Sequence, residues 1–100
     1  MPRASEALLI CGKRLRAARE ALGIEAKEAA RSAGAGASTW SMWENGHRLA
    51  DPLAVARFCA RYGISMDWVY MGDTRGMSPE LAKLVVAQFP IDPLPQRKKR

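Results

Sequence analysis

The chain has 100 residues and a formal net charge of +6 at neutral pH, with 48% apolar and 26% charged residues. These proportions are close to globular averages and exclude a disordered or collagen-like chain, and the length suits one compact domain. The chain opens without the apolar stretch of a signal peptide, and no apolar run approaches the roughly twenty residues that span a bilayer. The sequence therefore predicts a cytoplasmic protein with no membrane partner.

The positive charge is concentrated at the C-terminus, where the last four residues are Arg97, Lys98, Lys99 and Arg100. A terminal basic run favours a polyanionic partner, because the attraction is long-ranged and weakened by salt. The alternative is a solvated tail that only improves solubility, and the tail by itself does not separate the two.

The first half of the chain predicts three helices. Apolar residues recur at intervals of three and four from residue 5 to residue 22, with Ser5 as a possible N-cap and Gly23 as the stop. The opposite side of this helix is cationic. A short helix over residues 24–33 has a narrow face of small side chains, and Gly34 to Gly36 interrupt it. Residues 37–44 then resume helical spacing, with Trp40 and Trp43 as expected core residues rather than exposed stacking platforms.

The second half predicts two further short helices and an accessory helix. Asp51 precedes Pro52 as N-cap and first helical residue, and one apolar face continues to Gly63. Ser65 can cap a segment over residues 66–71, and Ser78 can start a helix that carries Leu81, Leu84 and Val85. These three residues either complete the core or join two chains. Several prolines follow, so residues 90–100 are expected to form an extended tail.

Four short motifs resemble the phage-repressor-like Cro/XRE family of helix-turn-helix proteins. They are residues 12–16 (GKRLR), residues 23–24 (GI), residues 43–46 (WENG) and residues 62–69 (YGISMDWV), and the last is the most specific. The resemblance covers residues 12–72 and implies an all-α, compact, five-helix lambda-repressor-like domain. The chain then divides into that domain over residues 5–72, a linker and accessory helix with a possible dimerisation role over residues 73–89, and a flexible basic tail over residues 90–100.

The resemblance also implies where DNA would be contacted. In this family the second helix of the motif enters the major groove, and the first crosses the phosphate backbone. The positions that read bases correspond to Gly36, Ala37, Ser38, Ser41 and Met42, which include no side chain suited to bidentate readout of guanine or adenine. The positions that contact the DNA backbone correspond to Arg14, Lys27, Asn45, His47 and Arg48. Ala26 stands where the family often has a phosphate-binding glutamine.

The sequence thus favours a sequence-specific transcriptional regulator, most simply a repressor that occupies a promoter operator as a homodimer on double-stranded DNA. The alternative function is a protein-interaction module, such as an antitoxin or adaptor, which the weak base-reading set favours. His47 is the only histidine and is expected in the loop after residues 37–44, so the sequence predicts neither a Ser-His-Asp site nor a histidine-rich metal site, and we expect no enzyme activity, metal, cofactor or small-molecule ligand. Cys11 and Cys59 lie on apolar helix faces and are expected to be buried and inert, with a redox switch as the alternative.

Overall fold

A computed structural model describes residues 4–89, and within that range the regular secondary structure consists of helices joined by turns and loops, with no strand. The tail residues Arg97, Lys98, Lys99 and Arg100 lie outside the described residues. The helices are α1 (Ala4–Leu22), α2 (Ala26–Ala33), α3 (Ala37–Glu44), α4 (Pro52–Tyr62), α5 (Met66–Met71) and α6 (Pro79–Gln88). The predicted all-α class and the order of the helices are confirmed.

Three of the helices begin at the capping residues that the sequence predicts. The side chain of Asp51 accepts a hydrogen bond from the Ala54 N–H at 3.0 Å, and Ser65 accepts one from Trp68 at 3.0 Å. Ser78 caps α6 in the same way by accepting from Leu81 at 3.2 Å. Each cap satisfies a first-turn amide that has no partner within its helix, which is why these polar residues mark the helix starts.

Two predicted helix boundaries are wrong at the N-terminal side. Ser5 lies inside α1 and does not cap it, since α1 already includes Ala4. Ile24 lies before α2, because Gly23 adopts a left-handed conformation at φ 69° and ends α1. The Ile24 N–H then bonds back to the Arg19 carbonyl at 3.3 Å, and Glu25 becomes the extended N-cap residue of α2.

The core is built around large side chains that compensate for the small residues of α2. The side of α2 that faces the core consists of Ala29, Ala30 and Ala33. Trp40 is completely buried, and its ring centroid lies 5.1 Å from that of Phe58 and 5.8 Å from that of Trp43. The expected role of Trp40 and Trp43 as core residues is confirmed. Trp68 is also buried, and its Nε1 donates to the Arg14 carbonyl at 2.8 Å.

The helix after Gly72 is part of the same packed unit, because α6 lies against α1. Val85 is completely buried, Leu81 packs against the core, and Leu84 is 50% exposed. A dimer contact through Val85 is therefore excluded by its place in the core. The apolar spacing of α6 thus reflects packing within one chain for Val85 and Leu81. Of the three residues, only Leu84 faces outward.

Both cysteines are buried and neither forms a disulfide. Burial raises the pKa of Cys11, and it raises the pKa of Cys59 to about 12. A redox switch needs an exposed thiolate, so the structure supports the inert reading and contradicts the switch. Among the helices of residues 4–89, none combines the length and hydrophobicity that crossing a bilayer requires.

Candidate nucleic-acid interface

Helices α2 and α3 are joined by a tight turn of small residues. Gly34 takes a left-handed conformation at φ 73°, and the Ala35 N–H bonds back to the Ala30 carbonyl at 2.9 Å. Gly36 is extended and is the N-cap of α3. Only a glycine reaches the left-handed region without strain, so Gly34 makes the sharp reversal possible. Two eight-residue helices thus meet across a three-residue turn, the arrangement of a helix-turn-helix.

The two sides of α3 differ in burial. Trp40, Trp43 and Glu44 are buried against the rest of the domain. The other side, which we call the outer face of α3, is formed by Gly36, Ala37, Ser38 and Ser41, all exposed, and by the half-buried Met42. The five residues predicted to read bases are therefore brought together on one surface. That surface contains two hydroxyl groups and apolar atoms, and no charged side chain.

A buried carboxylate holds α3 in place. Glu44 accepts hydrogen bonds from Arg19 Nε at 2.6 Å and Nη2 at 3.1 Å, and from Trp40 Nε1 at 2.6 Å. Arg19 also donates through Nη1 to the Ile24 carbonyl at 3.1 Å, next to the start of α2. The hydrogen bonds to Glu44 raise the pKa of Arg19. One network thus joins α1, the entry to α2 and the end of α3.

This network changes the expected cationic face of α1. Arg19 is bound to Glu44 and only slightly exposed, so it is not available to phosphates. Arg16 is half-exposed and lies near two carboxylates, with its Nε 3.5 Å from Glu20 Oε2 and 3.8 Å from Glu44 Oε1. The sequence alone did not identify Glu44 as a partner of either arginine, because it is distant in the chain from both, whereas Glu20 follows Arg16 by four residues on the same helix.

The backbones of α1 and α3 also touch directly at Gly12. A Cβ added at Gly12 would lie 2.4 Å from the Trp43 carbonyl oxygen and 2.6 Å from that of Glu44. No residue larger than glycine fits this contact without a shift of one helix. A glycine inside a helix costs about 1 kcal/mol relative to alanine and commonly has a packing reason. Its occurrence within α1 was thus a signal that the sequence analysis did not use.

Four of the five predicted phosphate-contacting residues lie on the exposed surface. They are Lys27 on α2 and Asn45, His47 and Arg48 directly after α3. Asn45 donates through Nδ2 to Ser41 Oγ at 3.2 Å, so its amide lies along the outer face of α3. The loop that carries His47 is held to the helix, because its N–H donates to the Met42 carbonyl at 2.9 Å.

Arg14 is separated from this group. Its guanidinium lies beside Gly72, so close that an added Cβ there would be 3.0 Å from Arg14 Cζ. A cation at this position is favourable, since it faces the C-terminal end of α5. Arg14 follows Gly12 by two residues, which is about 200° around a helix, so it lies on the opposite side of α1 from α3. We leave it out of the proposed interface.

The N-termini of α2 and α3 differ from those of the other capped helices. Glu25 and Gly36, their N-cap residues, make no side-chain capping hydrogen bond, whereas α4, α5 and α6 are capped by Asp51, Ser65 and Ser78. First-turn amides without a protein acceptor are suited to an anion, and the helix dipole favours negative charge there. The first turn of α3 contains no acidic residue, so its N-terminus is suited to a phosphate, whereas the exposed carboxylates of Glu25 and Glu28 at the start of α2 disfavour an anion there.

A further basic residue borders the turn and was missed by the sequence analysis. Arg57 on α4 is exposed, and its Nη1 donates to the Ala33 carbonyl at 3.4 Å, at the end of α2. The same atom would lie 3.5 Å from a Cβ at Gly34. No local pattern connects Arg57 with Ala33, because they are 24 residues apart and only the packing of α4 on α2 brings them together.

Comparison with known proteins agrees with this geometry. A family model described as a helix-turn-helix domain matches residues 11–67, which is more than half of the chain. The match begins in α1 and ends in α5, so it covers the motif and the helices that support it. No curated protein and no solved structure shows a significant match. With its motif, its turn and this match, the chain belongs to the helix-turn-helix domain family.

Proposed function

We propose that the protein is a cytoplasmic, sequence-specific regulator of transcription that binds double-stranded DNA as a homodimer and represses by occupying a promoter operator. The family assignment supports a DNA-binding role. The main structural support for the proposal is that the outer face of α3 is exposed, while the opposite side of this helix is buried in the core. The proposed role requires no catalytic group, metal, cofactor or small-molecule ligand.

In this proposal α3 lies in the major groove and α2 crosses the DNA backbone. The outer face of α3, with Gly36, Ala37, Ser38, Ser41 and Met42, then meets the base edges. Phosphate contacts come from Lys27, Asn45, His47 and Arg48, together with the first-turn amides of α3. These contacts orient the protein on the duplex but carry no sequence information.

The basic tail adds affinity to this small set of contacts. The described chain ends at Phe89, which lines a shallow groove with Lys13, Arg16 and Glu20 of α1. Residues 90–100 can extend at most roughly 36–40 Å, and in this proposal residues 97–100 lie along phosphates or enter a narrow minor groove. Deletion of residues 96–100 is expected to lower affinity and flatten its salt dependence. Unchanged affinity and slope would remove the tail from the mechanism.

Self-association would double the small number of base contacts, and it matches the two-fold symmetry of palindromic operators. Within residues 4–89, the large apolar side chains that remain exposed are Leu9, Leu49, Leu53, Met71 and Leu84. Leu84 is the only one of them that belongs to the predicted α6 contact. A monodisperse monomer at micromolar concentration, both free and on DNA, would refute the dimer.

The second candidate function is a protein-interaction module on the same fold. It is favoured by the chemistry of the outer face of α3, because Ala37, Ser38 and Met42 offer little directional hydrogen bonding. The exposed basic residues Lys27 and Arg48 and the basic tail favour DNA instead, since a largely apolar protein contact needs none of them.

The decisive experiment is genome-wide DNA occupancy of the tagged protein in its native cell, compared with a variant in which Ser38, Ser41 and Met42 are all replaced by Glu. A matched control replaces Ala60, Met71 and Ala87 by Glu, which changes the charge equally at exposed positions on α4, α5 and α6. Discrete peaks that share a half-site, lost in the first variant and kept in the control, support the regulator. Diffuse or absent occupancy of the wild type supports the interaction module.

A further inference from the structure

The outer face of α3 restricts what kind of DNA sequence it can distinguish. Neither its first turn nor its last turn contains an acidic or basic residue on this face, and its polar groups are the hydroxyls of Ser38 and Ser41. The neighbouring Asn45 amide donates to Ser41 Oγ at 3.2 Å. Bidentate pairing with guanine needs Arg or Lys, and bidentate pairing with adenine needs Asn or Gln. A hydroxyl group, by contrast, can form a hydrogen bond with either base. Hydrogen bonds from this face are therefore weakly selective.

The same residues allow the helix to approach the base edges closely. Gly36, Ala37, Ser38 and Ser41 are all small, and nothing lies within 4 Å of the position where Gly36 would carry a Cβ. Met42 is half-buried, so only part of its side chain is available to a base edge. The His47 N–H fixes the backbone at this position by bonding to the Met42 carbonyl at 2.9 Å.

The apolar atoms of this face match one chemical feature of the major groove. Among the four bases only thymine presents a methyl group there, at C5, and alanine or another apolar side chain contacts it favourably. An apolar side chain forms no hydrogen bond with the O6 and N7 acceptors of guanine. Discrimination by Ala37 and Met42 therefore depends on shape and on burial of a methyl group.

We infer that the DNA half-site recognised by this protein is rich in A·T pairs and is read chiefly through thymine C5-methyl groups, which pack against Ala37 and Met42. This inference rests on the proposed DNA-binding function and names the sequence class for the same surface. A·T-rich flanking DNA has a narrow minor groove with enhanced negative potential. This negative potential attracts basic side chains, so the four basic residues 97–100 favour the same A·T-rich DNA.

The first step of the test selects binding sequences from a random duplex library with the full-length chain at fixed salt. The selected duplex is then resynthesised with deoxyuridine in place of thymine at single positions. Uracil pairs with adenine as thymine does and lacks only the C5 methyl group. For each methyl that is contacted, the affinity is expected to fall about fourfold, which corresponds to roughly 0.8 kcal/mol for one buried methyl-sized group.

Variants assign the effect to the two side chains. Ala37→Gly and Met42→Ala should each abolish the effect of the methyl group at a single DNA position. At that position, duplexes with thymine and with uracil should then bind with nearly equal affinity. Met42→Gln keeps the length of the side chain and makes its end polar, and it should have the same effect. Met71→Ala is the matched control, since Met71 is an exposed methionine at the end of α5, and it should keep the wild-type ratio of thymine to uracil affinity. Melting temperatures show that each variant is folded.

The outcomes separate the inference from the proposed function. A·T-rich selected sequences with methyl-dependent affinity, lost in the Ala37 and Met42 variants, support both. Selected sequences bound equally with thymine or uracil overturn the inference and leave the proposed function in place. Failure of the wild type to prefer any sequence over random DNA overturns both.

Discussion

Arg19 and Glu44 form a bidentate, nearly buried ion pair between α1 and the end of α3, with Nε–Oε2 and Nη2–Oε1 distances of 2.6 and 3.1 Å. Trp40 Nε1 donates to the same carboxylate, so both Glu44 oxygens accept charge-assisted or short hydrogen bonds. The pair couples the helix that presents the outer face to the scaffold behind it. Removing one partner would leave a charged group without compensation in a poorly solvated site.

Replacement of Glu44 by Gln should therefore lower the free energy of unfolding by about 3 kcal/mol, because Arg19 loses its counter-ion. The measurement is urea unfolding at neutral pH followed by tryptophan fluorescence. Arg16→Ala is the matched control and should cost less than about 1 kcal/mol, since Arg16 is half-exposed and its contact with Glu44 is long. A Glu44→Gln value within about 0.5 kcal/mol of the wild type would contradict this account.

Gly12→Ala should destabilise the protein although alanine is the better helix former. Its Cβ would overlap backbone atoms of α3, and overpacking of this kind costs roughly 1–3 kcal/mol. The better helix propensity of alanine stabilises the protein by less than about 1 kcal/mol. We therefore expect urea unfolding to show a net decrease of about 1–2 kcal/mol in the free energy of unfolding. Gly36→Ser is the control, since its side chain meets open space, and serine replaces glycine at an N-cap within a few tenths of a kcal/mol. Equal stability of Gly12→Ala and wild type would show that α1 and α3 can separate freely.

Stability should fall at alkaline pH through the buried thiols. Burial raises the pKa of Cys59 from its ordinary value of 9.0 to about 12, so the unfolded chain ionises first. The contribution of the protonated Cys59 thiol to the free energy of unfolding is fully present below about pH 9. It is lost as the pH rises towards 12, by up to about 1.4 kcal/mol per pH unit. Urea unfolding between pH 7 and pH 11 measures this slope. Cys59→Ala should show a shallower fall, and Cys11 and Tyr70, whose pKa values burial also raises, keep contributing in both proteins. Identical slopes would exclude Cys59 as a source.

Arg48→Gln should weaken DNA binding without changing sequence preference, if DNA is bound as proposed. Loss of one phosphate contact lowers affinity about fivefold near physiological salt and reduces the slope of log K against log salt by about 1. The selected duplex and a random duplex should be affected equally. Arg61→Gln, an exposed arginine of α4 whose guanidinium lies 5.3 Å from the Tyr62 ring centroid, should leave both affinities unchanged. A loss confined to the selected duplex would identify Arg48 as a base-reading residue.

Local signals account for the elements that were predicted correctly. Asp51, Ser65 and Ser78 mark helix starts because a short polar side chain can bond its own first turn, and this needs no distant residue. The break at Gly34 to Gly36 is read in the same way, from residues that tolerate a left-handed backbone. The exposure of Ser38 and Ser41 and the burial of Trp40 follow from the helical period around one short helix.

Errors and omissions arose where distant parts of the chain meet. Arg19 resembled a solvated cation because Glu44, its partner, is 25 residues away. The spacing of Trp40 and Glu44, four residues apart on one helix, did place the carboxylate on the buried side and was an available signal. Val85 was a candidate for dimerisation because the spacing of apolar residues along a helix is the same whether the helix packs against the core of its own chain or against a second chain.

The sequence by itself determined the helical class, the helix order, the caps and the two-helix motif, since each depends on residues within a few positions of one another. The tertiary structure decided which arginines are exposed, which glycine is required for helix contact, and whether α6 belongs to the core. These depend on which helices lie against each other. A pair of charges or a close backbone contact acquires its energy only when packing removes water and brings distant residues within a few ångströms.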